Sequence, residues 1–261
     1  MRVIGVDLAW GTRNDSGLCA VEDGHVLDSA CLRGDDEIEA WIRTWAADEM
    51  LVAFDAPLIV RNRRGRRACE NVLASAFAAE RAGPFPGNLT LLRGDVRASR
   101  LARRLKLSVM PAALARRPLR AAIEVYPHPA LVVLLERAER LPYKAKQGRA
   151  LDVRHAAMCE LVQGLERFKR GDPPLDVTTS PRWASLVATC HARPSGVVRK
   201  RLEDELDAYV CAYIGCYHLA WSGRRSLTVG DGRHGYIVVP VTARHDALIR
   251  MRARAIRVRV C

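Results

Sequence analysis

MRVIGVDLAWG, residues 1–11, is an apolar run that stops on a carboxylate. Arg2 to Leu8 is rich in valine and isoleucine, the composition of a buried strand, and Asp7 lies near its end. Gly17 to Glu22 is a second run of the same kind. Asp23-Gly24 is a hairpin turn signal, and His25 to Leu32 reads as the third strand. Asp35, Asp36 and Glu37 place acids where a helix starts, and Ile38, Trp41, Ile42 and Trp45 follow at helical spacing. Leu51 to Phe54 is a short buried strand that runs into Asp55, with Pro57 closing it. The order to this point is β-β-β-α-β.

A basic segment, residues 58–120, comes next. Ala68 to Arg81 has helical periodicity through Val72, Leu73, Ala76 and Phe77, and Gly83-Pro84 stops it. Asp95 to Leu107 predicts an arginine-rich helix. Ala121 to Val125 is another strand, with Glu124 near its end. Helices are predicted over Ala130 to Leu141, Leu151 to about Lys169, and Arg201 to Trp221, with a proline-containing loop at 171–182. GYIVVP (235–240) reads as a final strand. The arginine-rich tail, 241–261, partly alternates charge and hydrophobe, which suits a strand or an amphipathic arm. The expected organisation is one α/β domain over 1–240 with a helical insertion at 58–120, followed by a basic tail.

The 261 residues are 49% hydrophobic and 27% charged, which excludes a chain dominated by disorder. The net charge of +13 is unevenly spread. Residues 1–60 hold 4 basic and 12 acidic side chains, and residues 61–120 hold 15 and 3. A polyanionic partner is expected, with 61–120 as its landing surface. Arginine outnumbers lysine 37 to 5, a skew that a GC-rich genome also produces. The eight cysteines include no CxxC pair, so neither a zinc ribbon nor a redox motif is visible. Reduced thiols in a cytoplasmic protein are the expectation. No export signal or membrane span is visible.

The placing of the acids suggests chemistry. Asp7 and Asp55 end two strands that would emerge at one sheet edge if paired in parallel. Asp204 and Asp207 lie three apart and share a helix face whose continuation is apolar. Acids brought together in a buried place repel one another, and a divalent cation removes that penalty. Oxygen-only ligation points to Mg2+ or Mn2+. Asp7, Asp55, Glu124, Asp204 and Asp207 are the candidate ligands and catalytic groups. A two-metal phosphodiesterase site needs such acids, and it needs cations for the rest of the polyanion. Arg67 as a phosphate contact competes with a helix-start salt bridge to Glu70. Lys144 as a phosphate ligand competes with solvated surface. Trp10 as a base-stacking residue competes with core packing, and His128 as a proton-transfer group competes with a packed loop histidine.

With these residues in place, the chain resembles the ribonuclease H-like superfamily. That resemblance implies a three-layer fold around a mixed five-stranded sheet with element order β-β-β-α-β-α-β-α. The DELDA run at 204–208 is similar to the last acidic pair of Holliday-junction resolvases. More closely, the chain resembles a family of predicted RNase H-like nucleases labelled domain of unknown function 429. The matching stretches are GVDLAWG (5–11), AFDAPL (53–58), NRRGRRACE (62–70), EVYPHPA (124–130), LPYK (141–144), LEDELDAYVCAY (202–213) and GYIVVP (235–240). The resemblance implies metal-dependent cleavage of DNA or RNA. It implies metal ligation by Asp7, Asp55 and Asp207, with Asp204 sharing the helix role, and substrate contacts by Arg64, Arg67 and Lys144.

Two other functions compete with the nuclease. One is a binding module without catalysis, which predicts salt-sensitive binding that survives metal removal. The other is an actin-like phosphotransferase. It is disfavoured because Asp55 is followed by Ala56-Pro57 rather than a glycine-rich phosphate loop.

Overall fold

The computed structural model describes all 261 residues. Strands β1 (Arg2–Asp7), β2 (Ser16–Glu22) and β3 (His25–Leu32) form an antiparallel meander. Asp23 and Gly24 both adopt positive φ at its tip, as a tight hairpin requires. Helix α1 (Asp35–Thr44) buries Ile38 and Ile42, the helically spaced pair. It returns the chain to β4 (Met50–Phe54), which lies parallel to β1. Beyond two helices, α2 (Ala68–Ala76) and α3 (Arg97–Arg104), β5 (Arg120–Glu124) adds parallel to β4. The mixed five-stranded sheet has the order β3-β2-β1-β4-β5.

The chain continues through α4 (Pro127–Leu134), α5 (Leu151–Arg167) and α6 (Trp183–His191) to α7 (Gly196–Trp221), a helix of 26 residues. Small residues let α7 lie directly on the sheet. A Cβ at Gly5 would collide with the Ala208 carbonyl oxygen, and one at Gly17 with that of Asp204. From the helix side, a Cβ at Gly215 would come 2.8 Å from Val3. The face of β1 carrying Val3, Gly5 and Asp7 is therefore the one α7 covers.

A second, smaller core lies beside the first. Strands β6 (Ser226–Asp231) and β7 (Gly235–Pro240) form a separate antiparallel pair, joined to β5 by one bridge between Val125 and Val238. Their Leu227, Val229, Ile237 and Val239 pack with Leu73 and Phe77 of the α2 region and with Ile249 of α8 (Ala243–Ala255). The insertion and the tail thus share one apolar cluster. Of the two expectations for the tail, a strand or an amphipathic arm, the structure gives an amphipathic helix through Ala255 that is packed rather than free. Thr242 caps its start, and His245, Ile249 and Ala253 are buried at four-residue steps. Only its end behaves as strand, where Val260 bridges to Val229.

Further differences from the sequence reading have local causes. The sequence reading does not include β6 or α6, although Leu227 and Val229 alternate in the one and Trp183, Leu186, Val187 and Cys190 repeat at helical spacing in the other. The helix expected to reach Leu141 ends at Leu134, and Glu136, two residues on, adopts a positive φ. No helix is long and apolar enough to cross a membrane.

Candidate functional site

The parallel pairing of β1 and β4 decides where the acids fall. Val6 is level with Phe54, and the Asp55 amide donates to the Val6 carbonyl at 2.8 Å. Asp7 and Asp55 therefore leave neighbouring strands at the same edge and on the same face. Helix α7 covers that face and brings Asp204 and Asp207 with it. Asp204 lies within hydrogen-bonding reach of Asp7. Asp207 is fully buried; its Oδ1 accepts from the Tyr143 hydroxyl and its Oδ2 lies beside Lys144 Nζ, both at 2.6 Å. Lys200, one turn before Asp204 on α7, pairs with that carboxylate.

The electrostatics follow from crowding in a dry place. Burial raises Asp7 above the usual carboxylate range, with Asp207 adding and the Lys144 and Lys200 ammonium groups opposing. Burial, then the charge of Asp7, pushes Asp55 well above that range. Burial and Asp7 carry Asp204 to about 8 despite Lys200. Burial alone would lower Lys144, but Asp207, Tyr143, Asp7 and Asp55 outweigh it and hold the ammonium well above its ordinary value.

Glu124 does not join this group. It is level with Phe54, one residue out of step with Asp55, so strand alternation turns it to the opposite face. There Oε2 accepts from the Leu58 amide at 3.0 Å and from Arg67 Nη1 at 2.8 Å, and Oε1 accepts from Arg67 Nη2. Both oxygens are thus engaged by Arg67, although Glu124 lines the same pocket as Asp55.

Arg67 is no phosphate contact either. It is 3% exposed, and all its N–H donors are taken by Glu124, Glu70 and the Ile59 carbonyl. The helix-start reading fits: the Arg67 amide donates to Glu70 Oε2 at 2.8 Å at the start of α2. Lys144 is held by Asp207 rather than solvated. His128 is buried between Tyr126 and Tyr143, and burial pushes its imidazole well below the usual range, so it is a packed neutral ring.

The basic segment divides into two parts. Arg97, Arg100 and Arg104 of α3 pair with Asp35, Asp36 and Glu39 of α1, so part of the charge imbalance along the sequence cancels inside the molecule. Buried Arg97 also donates to the carbonyls of Ala9 and Gly11, at 2.7 and 3.1 Å, and so ties down the loop after Asp7. In contrast, Arg61, Arg63, Arg64 and Arg66 are exposed and make no ion pair. Their loop is held in shape: Thr90 Oγ1 donates to the Arg63 carbonyl at 2.6 Å, and Asn88 Nδ2 to that of Gly65 at 3.0 Å.

Trp10 is half-buried, with its ring centroid 5.9 Å from that of exposed Phe85. Both line the pocket that contains Asp55, and Trp10 also lines a groove of about 410 Å³ with Arg13, Arg93 and Arg97. A larger cleft of about 530 Å³, lined by Phe168, Tyr213 and Arg225, holds none of the four aspartates. Sequence reasoning missed Tyr143, Lys200, Arg97 and Phe85. Lys200 had a signal, its four-residue spacing from Asp204; the other three meet the site only through tertiary contacts.

The donor set suits a hard cation in its chemistry. It is all oxygen, it is desolvated, and Asp204 Oδ2 is buried without a hydrogen-bond partner. The aspartates are not drawn into a closed trio, however. The set of three potential ligands whose donor atoms lie within 4.8 Å of one another is His155, Cys159 and Cys190, elsewhere in the molecule. Lysine ammonium groups pair with two of the aspartates and supply the positive charge that so many acids require.

Comparison with known proteins gives one match. The family model described as "Protein of unknown function (DUF429)" covers residues 5–234. The chain belongs to this family. The matched span takes in Asp7, Asp55, Lys144, Asp204 and Asp207. No curated protein and no solved structure matches the chain.

Proposed function

We propose that this DUF429 protein is a metal-dependent phosphodiesterase of the ribonuclease H-like type, acting on DNA or RNA. One observation carries the reading: Asp7 and Asp55, paired across parallel strands, meet Asp204 and Asp207 of α7, and exposed, unpaired arginines at 61, 63, 64 and 66 follow Asp55 along the chain. The sheet order β3-β2-β1-β4-β5, an antiparallel meander extended by two parallel strands, supports the fold assignment. Asp7 and Asp204, with its unpartnered Oδ2, would hold one Mg2+ or Mn2+, with Asp55 and Asp207 completing the acidic set. When bound, such an ion supplies Lewis acidity and a water that is nucleophilic at neutral pH.

The chain's own residues do the remaining work. Lys200, whose side chain is 57% exposed, can swing away to free Asp204. Lys144 is more tightly held and keeps Asp207 neutralised, so one cation fits more readily than two. The arginines at 61, 63, 64 and 66 hold the polyanion backbone. Trp10 and Phe85 offer aromatic faces to an unstacked base.

The test is cleavage of junction, duplex, single-stranded and hybrid substrates with Mg2+ or Mn2+. Asp7→Asn is expected to abolish turnover with its fold intact by circular dichroism. A wild-type protein inert on all four classes would sink the proposal.

A second reading rests on the two lysine–aspartate pairs. A site that neutralises itself needs no metal, and the protein would then be a nucleic-acid-binding module without catalysis. Binding that is unchanged by chelation and by Asp7→Asn, with no cleavage, selects it.

A further inference from the structure

The eight cysteines carry no ligand spacing along the sequence, but the fold creates one. His155 and Cys159 lie four apart on α5, so they share a face. Helix α6 places Cys190 against that face. Cys159 Sγ is 3.6 Å from His155 Nε2 and 3.7 Å from Cys190 Sγ, and all three donor atoms lie within 4.8 Å of one another.

The two separations from Cys159 match edges of a coordination tetrahedron, and the third, between His155 and Cys190, is no more than 4.8 Å. Bond lengths of about 2.3 Å to sulfur and about 2.0–2.1 Å to nitrogen imply S···S near roughly 3.8 Å and S···N near roughly 3.5 Å. The donors are also the correct type. Two thiolates and one neutral imidazole balance a doubly charged ion, and sulfur selects a borderline-soft metal over magnesium or manganese. Cys190 is buried, while His155 and Cys159 are half-buried. His155 borders a cleft of about 240 Å³ that Asp152, Arg193, Ser195 and Arg199 also line, so solvent reaches the imidazole side of the cluster.

We propose that His155, Cys159 and Cys190 form a three-ligand site for one zinc-class divalent cation, which clamps α5 to α6. This site stands apart from the aspartate cluster and does not depend on the nuclease reading.

The experiment titrates the full chain with Co2+ and with Zn2+ under reducing conditions. A Cys261→Ser background removes the exposed thiol. One equivalent of Co2+ is expected to give thiolate-to-cobalt charge-transfer bands and the visible spectrum of a tetrahedral ion. Zn2+ is expected to bleach both and to raise Tm. Cys190→Ser and Cys159→Ser should each weaken binding more than about tenfold, since even supporting residues around a metal matter that much. His155→Gln changes a half-buried surface-facing side chain and keeps the test open if a cysteine variant fails to fold. Absence of charge-transfer bands, or equal binding by His155→Gln and the parent, would overturn the site.

Discussion

Asp204 shows how one side chain sets a conflict between stability and function. Burial and the neighbouring Asp7 charge raise it to about 8, far above the roughly 3.9 of an unfolded aspartate. The folded chain therefore keeps a proton that the unfolded chain has released. Its contribution to stability falls as pH rises from about 4 to about 8 when no cation is present. Asp204→Asn removes that dependence. In chelator, the Tm of the variant is expected to gain on wild type across this window, by about 2–4 °C for each kcal/mol recovered. A parallel pair of Tm–pH curves would contradict it. Arg67 behaves in the opposite way. It is the shared counter-ion of buried Glu70 and Glu124, and Arg67→Ala strands both. The expected loss is about 3–5 kcal/mol, read by chemical denaturation.

At the level of elements, the site depends on how closely α7 approaches the sheet. Gly5 and Gly17 are required there because any Cβ would strike the helix backbone. Gly17→Ala is expected to cost about 1–3 kcal/mol or more, because the helix must lift or tilt. The same displacement moves Asp204 away from Asp7, so if the proposed nuclease activity is present, cleavage should fall much further than stability does. A variant with full activity and lowered stability would separate the two. The α1–α3 pair is a second case. Asp35 holds both Arg97 and Arg100, and Arg97 in turn fixes the loop that carries Trp10. Asp35→Ala is expected to loosen that loop, seen as faster amide exchange at residues 9–14.

Across the whole molecule, the charge of +13 is less available than it looks, since α3 neutralises α1. Among the arginines left exposed and unpaired are Arg61, Arg63, Arg64 and Arg66, in the loop that follows Asp55. Replacing all four with alanine is expected to flatten the slope of log K against log salt by up to about 4, roughly one for each phosphate that the loop neutralises. An unchanged slope would count against this loop as the proposed nucleic-acid surface.

The sequence by itself determined the strand order through Phe54, the acids at strand ends, and the shared face of Asp204 and Asp207. These depend on period and on residues adjacent along one element, so local chemistry is enough to read them. Tertiary structure alone decided that Glu124 faces away from the aspartates and belongs to Arg67. It decided that Lys144 sits among the aspartates, that the tail folds into a second core, and that His155 and Cys159 meet Cys190. Each of these turns on sheet register or on helix packing between distant segments, where a shift of one residue reverses which side chains meet.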